Sequence, residues 1–516
     1  MLKRLLTVAV ACAWIVGCNS QSSAPNAIPP GQYSPRAPIR GNDVNELPEP
    51  PVIYAVHGVA EVPLIADLNP ATGLPSFDYN GMHGVIPTVN VKPGETMVFD
   101  VSDQLRRGSG MAGYINLHFH GMGSTPLAPG DDVLGTFATP GHSLHYVIHV
   151  PANQQPGLYW YHPHIHGEVN FQVGQSGMSG AIVVDGLEHH IPQLAHMKQR
   201  LIIVRDTGVG ANIVPRGGYG MDAMGTMRPN TLNNDPCGPE IGLSVTLNDA
   251  TQPDITIAPG EQQFFRVVNA TGHKNLKLAV DGESLQLVAI DGFALDTNPK
   301  NPPTETLPFI IVPPASRAEF VVTGPSHPTN FRTKCYDSGS GGDRDPDLVL
   351  AKIVPPSSHA LTRTAIPKPL SAGAPLPVNV YTTALPPATT HRTVVFSEGS
   401  KHFLINGQIF SINAPPMFVV HTGTVEEWHI VNVTPEVHDF HIHQIHFLVE
   451  KANGIKLAHP YWADSVVIPH RHGEGPNGTL DLLMDFRDPI IKGMFVFHCH
   501  ILDHEDGGMM AKVQAI

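Results

Sequence analysis

The chain has 516 residues, too many for one hydrophobic core, so we expect two to four domains. Only 15% of the residues are charged, whereas 49 are glycine and 50 are proline, which favours many short strands joined by turns over long surface helices. Without the two basic residues of the N-terminal leader, 29 basic residues stand against 45 acidic ones, a net charge of −16, which argues against nucleic acid as a partner and suits small cations or neutral organic molecules better.

Residues 1–17 are predicted to be a secretory signal peptide, because two basic residues precede an apolar run that is too short to span a membrane. The run ends in IVGC, which resembles a bacterial lipobox and implies cleavage before Cys18 and lipidation of its thiol. An ordinary signal peptide that contains a cysteine is the alternative. Asn19 leans, by the same resemblance, toward sorting to the outer membrane. We therefore expect an exported lipoprotein on the periplasmic side.

Two proline-rich segments divide the remainder of the chain. Residues 18–50 are predicted to be a lipidated N-terminus followed by a flexible tether, and residues 356–388 to be a linker. Because the segments between and after them are rich in short alternating stretches, we expect an all-β protein. No long amphipathic helix is predicted.

A weak internal repeat predicts three copies of one β-sandwich. The stretch IPTVNVKPGETMVFDVSD, at residues 86–103, is similar to residues 253–270 and 415–432. Each contains an alternating strand, a glycine turn and a second alternating strand, which we interpret as one hairpin repeated about every 160 residues. The predicted domains are listed here in chain order: 51–187, 188–355 and 389–516.

The five cysteines have different expected fates. Cys12 leaves with the signal peptide and Cys18 carries lipid, whereas Cys237 and Cys335 could form a disulfide in an oxidising compartment. Cys499 is then left over. An unpaired thiol in an exported protein needs a reason, such as metal ligation.

Four short histidine clusters stand out among the 30 histidines. They are LHFHG (His118, His120), YWYHPHIHG (His162, His164), HDFHIH (His438, His441, His443) and FHCHILDHEDGGMM (His498, Cys499, His500, His504, Met509, Met510). Residues two apart on a strand share a face, so four pairs of imidazoles each face one way. Cys499 points away from its two neighbours, on the side that His438 can share. The spacing therefore predicts two separate metal sites joined by one strand.

The ligand types suggest copper at both sites. Two imidazoles, one thiolate and a weak axial thioether, supplied by His438, His504, Cys499 and a nearby methionine, describe a blue-copper electron-transfer centre. The other site would collect eight neutral imidazoles from two domains. Eight nitrogen donors suit several copper ions better than one zinc ion, whose structural sites close at four ligands.

These four segments resemble the copper-binding segments of the multicopper oxidases, the family of laccases, copper-efflux oxidases and bilirubin oxidases. The resemblance covers nearly the whole mature chain and implies three cupredoxin-like Greek-key β-sandwich domains and four copper ions. By resemblance, these are one blue type 1 ion (His438, Cys499, His504 and axial Met509), one type 2 ion (His118 and His441), and a coupled type 3 pair (His120, His162 and His500 on one ion; His164, His443 and His498 on the other).

The chain departs from the usual family motifs at three positions. Phe119 stands where tryptophan is usual, Asp439 where proline is usual and Gln444 where glycine is frequent. None of these departures removes a ligand. Inactivity through loss of a ligand is therefore not expected.

Several further residues have a possible role in chemistry. By resemblance, Glu505 delivers protons to oxygen, with a solvated or capping carboxylate as the alternative, and either Asp131 or Asp132 is the acid near the type 2 ion. His166 and His446 are expected to support the ligands or to lie on the surface. A soft Cu(I) site is conceivable at three methionines of one glycine-rich loop, although packing is the more frequent use of such spacing. These methionines are Met221, Met224 and Met227.

The expected function is a laccase-like oxidation of phenols or aromatic amines coupled to the reduction of O2 to water. Single electrons would be accepted at the Cys499 site and pass through His498 and His500 to the eight-histidine site. A weak axial methionine ligand leads us to expect a low potential and easily oxidised donors. The alternative is an oxidase of Cu(I) or another metal ion in copper tolerance, and a remote alternative is a non-catalytic copper-binding or scaffold protein.

Overall fold

A computed structural model describes residues 45–516 with short gaps. The gaps are residues 106–112, 207–219, 222–226, 229–234, 240–243, 357–380, 382 and 400–401. The predicted signal peptide, the lipid site at Cys18, most of the tether and most of the 356–388 linker lie outside the described residues. Of the predicted methionine group, Met224 also lies outside them, and the backbone of Gly220–Met221 pairs with that of Met227–Arg228.

The N-terminal part of the chain forms a sandwich of two sheets. In spatial order, the five strands of one sheet are Val52–Tyr54, Thr88–Val91, Gly180–Val184, Gly157–His162 and His118–His120. The four strands of the other are Pro75–Asp78, Val59–Leu68, Thr96–Asp103 and Ser143–His149. Alternating apolar residues of both sheets meet in one buried core, which includes Phe77, Phe99 and Phe119. The histidine-bearing strand His118–His120 lies at the edge of its sheet.

The middle part forms a second sandwich. Its larger sheet contains Thr246–Leu247, Lys198–Arg205, Gln262–Asn269, Arg317–Thr323, Leu285–Ile290 and Phe293–Ala294, with Glu305–Leu307 also paired to Leu285–Ile290. Its smaller sheet contains Asp254–Thr256, Leu348–Val354, Thr329–Thr333, Leu276–Val280 and Ile310–Val312. The two sheets enclose a core that includes Phe265, Phe320 and Phe331.

The C-terminal part forms the third sandwich. One sheet contains Phe403–Ile405, Thr390–Glu398, Thr424–Asn432, Gly478–Phe486, Phe447–Ala452 and Ile455–Ala463. The other contains Phe418–Val420, Met510–Ala515, Gly493–Cys499, His438–Ile442 and Ser465–Ile468. The core between these two sheets contains Cys499 and Met509 together with Trp428 and Phe497. The prediction of an all-β protein built from three sandwiches is confirmed.

Helices are short throughout the described residues. The α-helices are Leu187–His190 and Leu502–Asp506, the 3-10 turns are Pro192–His196, Leu295–Thr297 and Pro489–Ile491, and one π-helical turn covers Asn170–Gln175. Within these described segments, none of the helices has the length and apolar character needed to cross a bilayer. The helix Leu502–Asp506 matters most, because it follows Cys499 directly and carries His504 and Glu505.

The repeated sequence motif is real, but its prediction as a hairpin is wrong. In the first copy, Thr88–Val91 belongs to one sheet of the sandwich and Thr96–Asp103 to the other. The same division holds for the copies at 253–270 and 415–432. Both strands of a copy carry an apolar face. These two apolar faces are buried against each other when the strands belong to opposite sheets of the sandwich, whereas strands paired edge to edge in one sheet do not cover each other.

Two segments predicted as connectors contact the folded sandwiches. Near the end of the predicted tether, Leu47 is buried in the middle core, and Glu46 lies 2.8 Å from the guanidinium of Arg200. Near the end of the predicted linker, the ring of Tyr381 packs against Phe293, with the ring centroids 4.9 Å apart. The composition of these stretches indicated flexibility, but single apolar and charged side chains are enough to anchor them.

Cys237 and Cys335 form a disulfide that closes a loop across 98 positions of sequence. The bridge anchors the segment that follows Cys335 beside the third sandwich, where Val437 donates its N–H to the carbonyl of Ser338 at 2.9 Å. The sequence left undecided whether Cys237 and Cys335 pair, and the structure shows that they do.

Replacing both cysteines by serine should lower the free energy of unfolding by up to about 4–5 kcal/mol, because the bridge restricts a long loop in the unfolded chain. Guanidinium denaturation of the oxidised protein measures this change. Treating the wild type with a reductant should reproduce the loss, and serine variants as stable as the oxidised wild type would contradict it.

Candidate metal centres

The four histidine clusters converge between the first and third sandwiches. Strand register aligns His118 with His162 in the first sandwich and His441 with His498 in the third. All eight imidazoles of the predicted cluster are at most 1% exposed, and they are His118, His120, His162, His164, His441, His443, His498 and His500. The structure therefore brings together all eight side chains that the alternation of strand residues placed on common faces.

Ring contacts join the two sandwiches at this place. His118 stacks on His443 with centroids 3.6 Å apart, and His120 stacks on His441 at 3.9 Å. The ring of His500 lies 5.3 Å from that of His120. The first sandwich thus supplies half of the imidazoles and the third sandwich the other half.

Donor nitrogens group as a multinuclear metal site requires. In the trio of His164, His443 and His498, one nitrogen from each ring lies within 4.8 Å of the others, and this is one of the trios expected for the coupled pair. His118 and His441, expected to share the lone ion, lie in one such group with His443. His500 lies beside its two expected partners, since its ring centroid is 5.3 Å from that of His120 and 5.6 Å from that of His162.

Hydrogen bonds on the outer side of several rings fix which nitrogen faces inward. The Nδ1 atoms of His162, His441 and His498 donate to the backbone carbonyls of Pro163, Asp464 and Cys499 at 2.8, 2.8 and 3.0 Å. Nδ1 of His118 donates to the carboxylate of Asp131 at 2.9 Å. Such bonds keep the proton on Nδ1 and leave the lone pair of Nε2 free to bind a metal ion, as is usual for metal-binding histidines.

Six of the eight imidazoles are held neutral. Burial, reinforced by neighbouring imidazoles, lowers the pKa well below the usual range for six of them, namely His120, His162, His164, His441, His443 and His500. Seven of the eight rings also retain a buried nitrogen without a hydrogen-bond partner. A buried polar atom without a partner is costly, and neutral imidazole is the form that binds metal, so this set of donors fits copper ions.

Asp131, and not Asp132, contacts the cluster. Asp131 accepts from His118 and from Nε2 of Gln444, the latter at 2.6 Å. Asp132 instead accepts from Gly135 and Thr136 of its own loop.

Gln444 explains one departure from the family motif. Its backbone has a φ of 61°, in the left-handed region where glycine is at ease and other residues are strained. In exchange, its side-chain amide holds Asp131 against His118. This hydrogen bond is a contact that a glycine at this position could not make.

The buried carboxylate of Asp464 links all three sandwiches, and no motif in the sequence singles it out. Asp464 accepts two hydrogen bonds from Arg317 of the middle sandwich, at 2.8 and 2.6 Å, and one from Nε2 of His120 at 3.0 Å. Burial alone would raise the pKa of Asp464, but Arg317 and His120 hold it well below its usual range. The carboxylate orients His120 so that its Nδ1 remains free.

The remaining predicted residues also lie near the cluster. Glu505 is buried, with one carboxylate oxygen 3.1 Å from Nδ1 of His498 and the other 3.4 Å from Nε2 of His164. His446 lies 3.2 Å from the carboxylate of Asp464. His166 is half-buried beside Phe410, with the ring centroids 4.9 Å apart.

A second donor group lies on the other face of the Cys499 strand. Sγ of Cys499 is 3.7 Å from Nδ1 of His438 and 3.7 Å from Nδ1 of His504, and the two nitrogens are 3.1 Å apart. Bonds of about 2.0–2.3 Å to one ion place such donors about 3–4 Å apart, so the three atoms already have the spacing of a trigonal site. Met509 is fully buried in the same core, and Cys499 donates its N–H to the carbonyl of Met509 at 3.0 Å.

Burial raises the pKa of the Cys499 thiol well above its usual range. A thiolate in this position therefore needs a bound cation, since a coordinating metal deprotonates the thiol. Asp439, the residue that replaces the usual proline, donates its backbone N–H to Sγ at 3.4 Å. Proline has no N–H, so this hydrogen bond is a direct consequence of the substitution.

Comparison with known proteins agrees with this geometry. Multicopper oxidase family profiles match residues 69–189, 215–350 and 381–515. The chain is a multicopper oxidase. Its enzyme class is therefore an oxidoreductase, its metal is copper, and its three sandwiches are cupredoxin-like domains.

Individual relatives of this multicopper oxidase are distant. It is 26% identical to a laccase from Haloferax volcanii over 52% of this chain and 46% of that protein, so it spans about half of that relative. It is 23% identical to a multicopper oxidase from Staphylococcus aureus over 85% of this chain and 83% of that one. Among solved structures, a multicopper oxidase from Campylobacter jejuni described as a metallo-oxidase superposes with a TM-score of 0.68, at 22% identity, over 91% of this chain and 96% of that chain.

Two carboxylates cover the outer edges of the imidazoles at the cysteine-side centre. Glu398 lies 3.6 Å from Nε2 of His438, and Glu436 lies 3.6 Å from Nε2 of His504. Thr434 also contacts Nε2 of His438, at 3.1 Å. Glu436 is buried, whereas Glu398 is partly exposed. Neither glutamate belongs to a histidine motif, so neither could be selected from the sequence.

The Cys499→Ser variant should lose the blue absorption and all oxidation of organic donors, because the thiolate–copper bond is the source of both. The eight-histidine cluster should still load, so the copper content should fall by one ion per chain. Visible absorption with copper analysis measures this. Retained colour would contradict the assignment of Cys499.

The Asp439→Pro variant should lower the potential of the Cys499 centre by about 20–60 mV, the equivalent of one hydrogen bond of about 0.5–1.5 kcal/mol. The Asp439→Asn variant keeps the N–H and should retain the wild-type potential. Redox titration of the blue absorption compares them, and equal potentials in the two variants would show that this bond to sulfur has no effect.

Proposed function

We propose that this enzyme couples four one-electron oxidations of a low-valent metal ion, such as Cu(I) or Fe(II), to the reduction of O2 and four protons to two molecules of water. Phenols and aromatic amines remain the alternative donors. The single observation that favours a metal ion is the pair of carboxylates, Glu398 and Glu436, at the outer nitrogens of the imidazoles beside Cys499.

The arrangement of ligands expected from the family accounts for where four copper ions would bind. His438, Cys499 and His504, with Met509, would hold the blue ion, and the eight buried imidazoles would hold three ions as His118 with His441, His120 with His162 and His500, and His164 with His443 and His498. Bound copper supplies the one-electron redox chemistry at the first site and the reduction of O2 at the second.

The glutamates suit a cationic donor for two reasons. Carboxylate oxygens bind metal ions, and the partly exposed Glu398 is within reach of solvent while Glu436 is not. Because each carboxylate lies 3.6 Å from a ring nitrogen, a metal ion bound there would be close to an imidazole that is expected to hold the blue copper. The description of the Campylobacter jejuni structure as a metallo-oxidase supports the same substrate class.

The chain provides a short path from one centre to the other. Cys499 occupies the third-sandwich core, and its covalent neighbours His498 and His500 point to the opposite face of the same strand, among the cluster imidazoles. An electron accepted at Sγ thus crosses only backbone and side-chain bonds of adjacent residues. One strand both separates the two centres and connects them.

Two acids lie where protons are needed. The carboxylate of Asp131 is 2.9 Å from Nδ1 of His118, and that of Glu505 is 3.1 Å from Nδ1 of His498. Their carboxylates are the groups that would hold protons at this site for the reduction of O2.

We also propose that the enzyme acts on the periplasmic side, attached to the outer membrane through a lipidated Cys18. The lipobox-like sequence IVGC supports this location. A disulfide between Cys237 and Cys335 is in keeping with an oxidising compartment.

The Glu398→Gln and Glu436→Gln variants should oxidise Cu(I) at least about tenfold less efficiently relative to a phenol, because each replaces a carboxyl ligand for the incoming ion by a weaker amide ligand. Oxygen uptake with each donor gives both values of kcat/KM. The matched control is Glu427→Gln, which removes a half-buried carboxylate paired with the exposed His391. An unchanged ratio in both variants would reject metal-ion oxidation in favour of phenols.

A further inference from the structure

A histidine pair lies on the loop that follows strand Ser465–Ile468, outside both copper centres. The loop reads PHRHG, and the rings of His470 and His472 are in contact, with centroids 4.1 Å apart and planes at 61°. The side chain of His470 is only 9% exposed, whereas His472 is exposed. Two imidazoles are therefore held together at the surface, one buried and one open to solvent.

A carboxylate from another domain completes the group. Oδ2 of Asp337 lies 3.6 Å from Nε2 of His470, which is too long for a hydrogen bond. Two donors that bind one ion at about 2.0–2.1 Å in a tetrahedral arrangement lie about 3.4 Å apart, close to this distance. Oδ1 of Asp337 is occupied by the N–H of Gly339 at 3.1 Å, so Oδ2 is the oxygen that faces the histidine.

Nδ1 of His470 is buried and has no hydrogen-bond partner. The ring can therefore carry its proton on Nδ1, which leaves the lone pair of Nε2, the nitrogen that faces Asp337, available to a metal ion. The side chain of Asp337 is 64% exposed, so an ion could reach the group directly from solvent.

The group lies next to the proposed donor site. The segment after Asp337 runs along residues 435–437, where Gly341 donates its N–H to the carbonyl of Pro435 at 3.2 Å. A Cβ added at Gly339 would lie 2.9 Å from Cγ of His470 and 3.0 Å from Cα of Glu436. Gly339 therefore lies between the ring of His470 and the backbone of Glu436, in close contact with both.

We propose that His470, His472 and Asp337 form an outer binding site for a transition-metal ion, from which the ion passes to Glu398 and Glu436. This inference rests on the proposed oxidation of metal ions. Imidazole binds copper, iron and zinc ions, and a carboxylate adds charge for Fe(II) and Zn(II). One side chain is buried and two are exposed, which allows capture of the ion from solvent and its release inward. The site binds its ion more weakly than the buried copper centres because it has only three side chains to offer and two of them are exposed.

Zn(II) is the probe of choice, since it binds the same donors but cannot be oxidised. Calorimetric titration of the fully copper-loaded enzyme should show a site of highest zinc affinity that His472→Ala and Asp337→Asn weaken at least tenfold. The control is His145→Ala, which breaks an exposed histidine–aspartate pair of 2.7 Å on the first sandwich and should leave that affinity unchanged. Equal affinity in His472→Ala and the control would overturn the outer site.

Kinetics separates this inference from the proposed function. His472→Ala should raise KM for Cu(I) severalfold with little change in kcat, whereas Glu398→Gln should reduce the turnover of Cu(I) and leave zinc binding at the outer site intact. If His472→Ala loses zinc affinity but the wild type does not oxidise Cu(I), the outer site is supported and the proposed function is rejected. Normal zinc affinity in His472→Ala, with Cu(I) oxidation still sensitive to Glu398→Gln, would reject the outer site alone.

Discussion

The structure depends on burying eight imidazoles at the contact of two domains. Each ring needs a fixed tautomer and a free nitrogen, and burial lowers the pKa of rings such as His164 and His443 so that they stay neutral. The groups that fix them come from every part of the chain: backbone carbonyls, Asp131 from the first sandwich, and Asp464 from the third, which is held in turn by Arg317 of the middle sandwich. The middle domain carries none of these histidines, yet it takes part in the site through this one guanidinium.

Strand geometry accounts for the separation of the two centres. Adjacent residues on a strand face opposite ways, so Cys499 enters the domain core while His498 and His500 face the neighbouring domain. A helix would have spread the same residues around its axis, and a loop would have left the thiol open to solvent. The arrangement also protects the thiol, which is fully buried and accepts a hydrogen bond from the backbone of Asp439.

The convergence of the histidines and of Cys499 on two sites could be predicted because these residues sit at short, regular spacings in four motifs. Their supporting residues could not, since Asp464, Arg317, Glu398 and Glu436 are isolated in sequence and meet the site only through tertiary contacts. The choice between Asp131 and Asp132 depended on loop geometry, and the repeated hairpin was mispredicted because alternation shows which residues face inward but not which sheet each strand joins. Composition likewise marked residues up to 50 as tether, although Leu47 is buried in the middle core.

The bridge between Cys237 and Cys335 has a bearing on how firmly one wall beside Glu436 is held. It immediately precedes the segment that carries Asp337 and lies along Glu436. In a reducing environment the bridge does not form, so this segment is held only by non-covalent contacts such as that of Gly341 with Pro435. If, as proposed, the enzyme is exported and oxidises metal ions, oxidation of the two thiols would complete this wall only after export, which would make thiol chemistry a checkpoint in maturation.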